Sequence, residues 1–124
     1  MSFPLIRVYT GDDGESHFEQ GTLELPKLEG TAHRSGSWDA AEVSFGESPP
    51  GSSSDWHSDP ARQYVITLSG TLEFETRLGA TCTLAPGTIM LAEEREGGGG
   101  HRWHLTDDQP WRRVYVILVE DHHG

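Results

Sequence analysis

The sequence predicts an all-β protein, a sandwich or barrel of short strands, and three observations carry that prediction. Apolar residues recur in runs of strand length, turn-forming residues stand between nearly all of those runs, and no window offers an amphipathic helix. Composition agrees: hydrophobic residues make up only 34% of the chain, while glycine numbers 15 and proline 7, a profile of many strands joined by tight turns. Such strands without helical crossovers favour a sandwich or barrel, because an open sheet edge leaves backbone groups unpaired.

Taken in order, strand-like runs occur at Leu5 to Tyr9, Thr22 to Leu25, Trp38 to Phe45, Gln63 to Ser69, Thr71 to Thr76, Thr81 to Leu84, Thr88 to Ala92, His101 to Leu105 and Val114 to Val119. Between them stand Gly11-Asp12-Asp13-Gly14, Ser48-Pro49-Pro50-Gly51, Ser69-Gly70, Leu78-Gly79, Pro86-Gly87 and the run Gly97 to Gly100, all rich in residues that tolerate turn dihedrals. The polar stretch Gly46 to Asp55 reads as a loop at the mouth of the barrel, since apolar strands resume after it. A chain of 124 residues without an internal repeat or long linker is expected to form one domain around one core.

Charge excludes some functions. With 9 basic and 20 acidic residues the net charge is -11, and a field of that sign repels phosphate backbones and anionic lipid, so neither a nucleic-acid nor a membrane partner is expected. Cys82 is the one cysteine and lies inside a strand-like run, which reads as a buried structural thiol. The first residues show no apolar signal region, and the expected location is the cytoplasm.

The seven histidines divide by context. His33, His122 and His123 lie in polar segments and are expected to be solvated, and His17 carries no clear signal. His57 differs, because Asp59 and Gln63 follow at even spacings that put side chains on one face of an extended chain, although Pro60 bends the path between them. His101 opens a strand on the same side as Trp103 and Leu105, so it is expected to face inward while Arg102 and His104 face out. Imidazole nitrogen with carboxylate or amide oxygen suits a divalent Fe, Ni, Zn, Co or Mn ion. The charged run Glu93, Glu94, Arg95 and Glu96 before His101 reads as solvated, or as a lid hinged at the glycines.

These residues also carry a family resemblance. Gly51, His57, Asp59, Gln63 and Gly70 resemble the first cupin motif in order and spacing, with Asp59 where the family has a second His and Gln63 where it has Glu. Pro86-Gly87, the run Thr88 to Ala92, and Gly98 with His101 resemble the second motif in stretched form, Glu96 standing where the family has Pro and Leu105 where it has Asn. The resemblance is to small single-domain bacterial cupins, mostly of unassigned function, and covers about residues 38–119, with a fainter match in the N-terminal strands.

It implies a double-stranded β-barrel, or jelly-roll, with the N-terminal strands added to the barrel sheet. It implies a metal site at His57, Asp59, Gln63 and His101, two of the four family ligands being changed. Trp56, Arg62 and Trp103 are the expected contacts to a small-molecule ligand, and the apolar second face of the Gln63 to Ser69 strand is the expected contact of a homodimer. Two functions follow: a metal-dependent enzyme of dioxygenase, isomerase or lyase type, or a small-molecule-binding cupin without turnover.

Overall fold

A computed structural model describes residues 1–120, and these form eleven strands and no helix. The C-terminal His122 and His123, expected to be solvated, lie outside the described residues. In chain order the strands are β1 (Ser2–Thr10), β2 (Ser16–Glu24), β3 (Lys27–Glu29), β4 (Ala32–Arg34), β5 (Ala40–Ser48), β6 (Gln63–Ser69), β7 (Leu72–Thr76), β8 (Thr81–Leu84), β9 (Ile89–Glu93), β10 (His101–Leu105) and β11 (Trp111–Leu118). Among the described residues no helix is long and apolar enough to cross a membrane.

Two sheets enclose the core. The larger has the order β2-β1-β9-β6-β11-β5, and the smaller β10-β7-β8; β3 and β4 form a separate ribbon. Pairing is antiparallel throughout except between β1 and β9. The N-terminal strands thus extend the larger sheet, with β2 at its edge.

Side-chain alternation explains why these segments pair and face as they do. In β7, Leu72, Phe74 and Thr76 are buried while Glu73 and Glu75 are half-buried, and in β8 Cys82 and Leu84 are buried while Thr81 and Thr83 are exposed. They meet Ile6, Val8, Val65, Met90, Ala92 and Trp111 from the larger sheet in one cluster, which also holds Leu105 of β10. Burial pushes the Cys82 thiol up to about 12, so it stays protonated and packs as a small apolar group.

Both faces of the larger sheet carry apolar residues. On its outer face Tyr64, Leu91 and Leu118 form a second cluster, with Trp38 set edge-on against Tyr64 at 5.3 Å between ring centroids. Trp38 is therefore a cover for this outer cluster rather than part of the central core, whereas Trp111 is only 3% exposed and lies in the core.

Three elements depart from the sequence expectation. β2 begins at Ser16, not Thr22, because its first half pairs with β1 through backbone bonds; Ser16 and Phe18 turn inward there, but the charged and polar residues around them leave no apolar run. The ribbon β3–β4 was not expected at all; every residue in it is exposed, so no apolar alternation marks it. β11 begins at Trp111, earlier than Val114, and its pairing with β6 is offset by one residue where Arg112 meets Ser69 and Arg113 meets Thr67, with Leu68 of β6 left unpaired.

Candidate metal centre

The site begins with the edge of the smaller sheet. Residues Ser52 to His57 run beside β10 as a further, irregular strand: the Leu105 amide donates to Ser52 O, the Ser54 amide to Trp103 O, and His57 and His101 exchange both backbone bonds at 3.0 and 2.8 Å. This pairing puts the His57 and His101 rings side by side, with centroids 4.6 Å apart. Gly100 makes the approach possible. Its φ is +76°, and a Cβ there would lie 2.5 Å from the His57 carbonyl oxygen.

His101 is 1% exposed and points into the barrel, as the alternation of β10 requires: Trp103 and Leu105 share its side, and Arg102 and His104 are exposed on the other. Its Nε2 lies 3.5 Å from Asp59 Oδ2, and His57 Nε2 lies 3.9 Å from Asp59 Oδ1. One ligand atom from each of His57, Asp59 and His101 fits within 4.8 Å of the others. Donors about 2.1 Å from a shared ion and tetrahedrally disposed stand about 3.4 Å apart, so the spacing fits a metal ion with little adjustment.

The other ring nitrogens support the same assignment. His57 Nδ1 donates to Asp55 O at 2.9 Å, which leaves Nε2 with its lone pair free to coordinate. His101 Nδ1 is 2.8 Å from Glu94 Oε1, a close charge contact whose direction falls short of a good hydrogen bond. Two imidazoles held from behind and one carboxylate between them match the donor set that binds divalent transition metals with positions left open.

Glu94 is the residue that the sequence analysis missed. It was placed with Glu93, Arg95 and Glu96 in a solvated run, yet its side chain is fully buried. The Ser16 hydroxyl donates to Oε2, and the Asp59 amide donates to Oε1 at 3.1 Å. Burial pushes its carboxyl up, but His101, Ser16 and the Asp59 amide together outweigh this and hold it below the ordinary range. One ionised carboxylate thereby ties Asp59 and His101 together. The signal was alternation: Met90 and Ala92 of β9 face the core, and Glu94 is the next even step.

Glu93 and Arg95 are anchored too. Glu93 turns to the outer face, where Arg7 and Arg62 donate to it at 2.7 and 2.8 Å. The Arg95 amide donates to Thr10 Oγ1, its guanidinium to Gly11 O, and the Gly99 amide to Gly14 O. In place of a lid hinged at its glycines, the loop is pinned against the turn between β1 and β2.

Above the three ligand side chains lies a cavity of about 50 Å³, whose far walls are Val65, Phe74, Met90, Trp103, Trp111 and Tyr115. Of the expected ligand contacts, only Trp103 lines it. Trp56 lies 4.6 Å from both the Arg77 and the Arg102 guanidinium, on the outer side of the smaller sheet, because neighbours along an extended chain point oppositely and His57 faces in. Arg62 is engaged with Glu93. Gln63 is 8% exposed, paired along its strand with Ala92 and Ile117, and is not in the cavity wall. The structure therefore gathers three of the four expected ligands.

No protein-family model matches the chain, and neither does any curated protein. Solved structures do. A cupin domain from Bordetella pertussis Tohama I is 25% identical, the alignment covering 63% of this chain and 80% of that one at a TM-score of 0.50. A DUF861 family protein from Thermotoga maritima is 21% identical over 62% of this chain and 80% of its own, also at 0.50. A sugar phosphate isomerase from the cupin superfamily of Silicibacter pomeroyi is 19% identical over 63% and 50% at 0.45, and at that level its reaction says nothing of this chain's.

Proposed function

Since the chain has the cupin fold, we propose that it is a metal-dependent cupin that holds a divalent ion with His57, Asp59 and His101 and acts on a small molecule in the cavity above them. The observation that carries this reading is the convergence of two imidazole Nε2 atoms on one carboxylate, with each Nδ1 facing an oxygen. Fe, Ni, Zn, Co and Mn all suit the donor set, and a bound ion of this kind supplies Lewis acidity or oxygen activation.

The protein's own residues set the limits of the chemistry. A cavity of about 50 Å³ holds about two water molecules at liquid density, so a substrate has few heavy atoms or enters as walls move. The tryptophan, tyrosine and phenylalanine walls exclude bulk water and strengthen polar interactions inside. Asp59 is about one-third exposed and His57 slightly more, so ligand and ion enter from their side, while the buried His101 stays fixed.

The second reading, a small-molecule-binding cupin without turnover, is favoured by the small cavity and by Gln63 standing outside its wall. Metal content separates the first reading from metal-free binding. Purified protein is expected to carry or take up one divalent ion per chain, and His57→Ala and His101→Ala are each expected to lose it. Unchanged metal content in both variants would remove this site.

A further inference from the structure

Among the described residues Arg113 is a half-buried cation without an acidic partner. Arg7, Arg34, Arg62, Arg102 and Arg112 each lie within ion-pairing distance of a carboxylate. Among the described residues the arginines without one are Arg77, Arg95 and Arg113, and only Arg113 of these is not exposed. No carboxylate among the described residues lies within ion-pairing distance of this guanidinium.

Its position gives that a meaning. On β11 the side chains of Trp111, Arg113 and Tyr115 share the inner face by alternation, and the two aromatics line the cavity above His57, Asp59 and His101. The Arg113 guanidinium stacks 4.0 Å from the Trp111 ring, donates from Nε to the Tyr115 hydroxyl at 2.8 Å, and from Nη1 to Ser48 Oγ at 2.8 Å and Trp111 O at 3.0 Å. Glycine at 46, opposite Arg113 across the ladder, leaves it room: a Cβ there would lie 3.0 Å from Nε. The neutral partners orient the fork without cancelling its charge.

The carboxylates at the ligand cluster, Asp59 and Glu94, face His57 and His101, so neither is engaged with Arg113. We propose that Arg113 is a ligand-binding residue at the rim of this cavity, and that the ligand is a carboxylate of few heavy atoms. The proposal deepens the metal-cupin reading and rests on it. With Nε and Nη1 donating to its neutral partners, the Nη2 hydrogens are left for a charge-assisted bond to a carboxylate, and a cavity of this size admits only a compact one.

The test uses the Co²⁺-loaded protein, whose visible spectrum reports on binding near the ion. Co²⁺ is titrated first; absence of binding to the wild type overturns the metal reading and this proposal with it. Acetate and its neutral analogue acetamide are then titrated into wild type, Arg113→Gln and Arg113→Lys, with thermal melts as a check of folding. The expected result is unchanged Co²⁺ affinity in the variants, a loss of acetate affinity of about tenfold or more in Arg113→Gln, and an intermediate loss in Arg113→Lys. Acetamide is expected to bind all three alike. Acetate affinity in Arg113→Gln equal to that of the wild type overturns the proposal; should that variant not fold, an unchanged affinity in Arg113→Lys overturns it.

Discussion

Glu94 and Glu93 are sequence neighbours with opposite fates, and each yields a prediction. Replacing Glu94 by Gln keeps its size but removes the charge behind His101, and metal affinity is expected to fall about 10- to 100-fold, read by competition with a chelating dye; unchanged affinity contradicts the role assigned to it. Burial pushes the Glu93 carboxyl up, yet the bonds from Arg7 and Arg62 outweigh it and hold it below its ordinary value. A lowered carboxylate value stabilises the fold above the unfolded value of about 4.3 and ceases to do so as pH falls through the folded value. The melting temperature of wild type is therefore expected to drop more steeply below about pH 5 than that of Glu93→Gln; parallel curves contradict it. His57, Asp59 and His101 were legible because their chemistry stands out and their spacing fits extended chain. Glu94 was hidden among three charged neighbours, of which Arg95 and Glu96 are solvated as such runs usually are.

At the scale of elements, β6, β8 and β10 were read to the residue: β8 and β10 alternate between turn residues, and β6 is a short run with apolar residues on both faces. The ribbon β3–β4 was not legible, since a solvated strand is marked by backbone pairing alone, and in the first half of β2 Phe18 is the one apolar residue. The Ser52 to His57 segment was read as the end of a loop followed by a candidate ligand, and its pairing to β10 is what turns that ligand toward His101. Gly100 is the hinge of this arrangement. Gly100→Ala puts a Cβ 2.5 Å from the His57 carbonyl oxygen at a backbone angle L-residues avoid, and is expected to cost about 1–3 kcal/mol of stability and to weaken metal binding. Calorimetry and metal titration read both; a variant with the melting temperature and metal affinity of wild type contradicts the account.

For the molecule as a whole, one face stays apolar in an otherwise acidic surface. Phe45 of β5 pairs with Val114, which pairs with Ile66, so these lie together on the outer side of the larger sheet, with Val43 and Leu68 on the same side. Phe45 is 77% exposed, Leu68 58% and Val43 57%. Exposed apolar residues gathered on a sheet face favour association, and the expected partner is a second copy: light scattering is predicted to give the mass of two chains, and Phe45→Glu to give one. A wild-type mass of one chain contradicts this. The metal centre is also a property of the whole fold, since it joins the Ser52 to Asp59 segment to β10 and rests on β9 and β2 through Glu94 and Ser16. The most direct test is anomalous diffraction from crystals grown with Co²⁺. The account predicts one strong peak per chain, about 2.0–2.2 Å from His57 Nε2, His101 Nε2 and an Asp59 oxygen; no peak there, or a peak held by other residues, contradicts it.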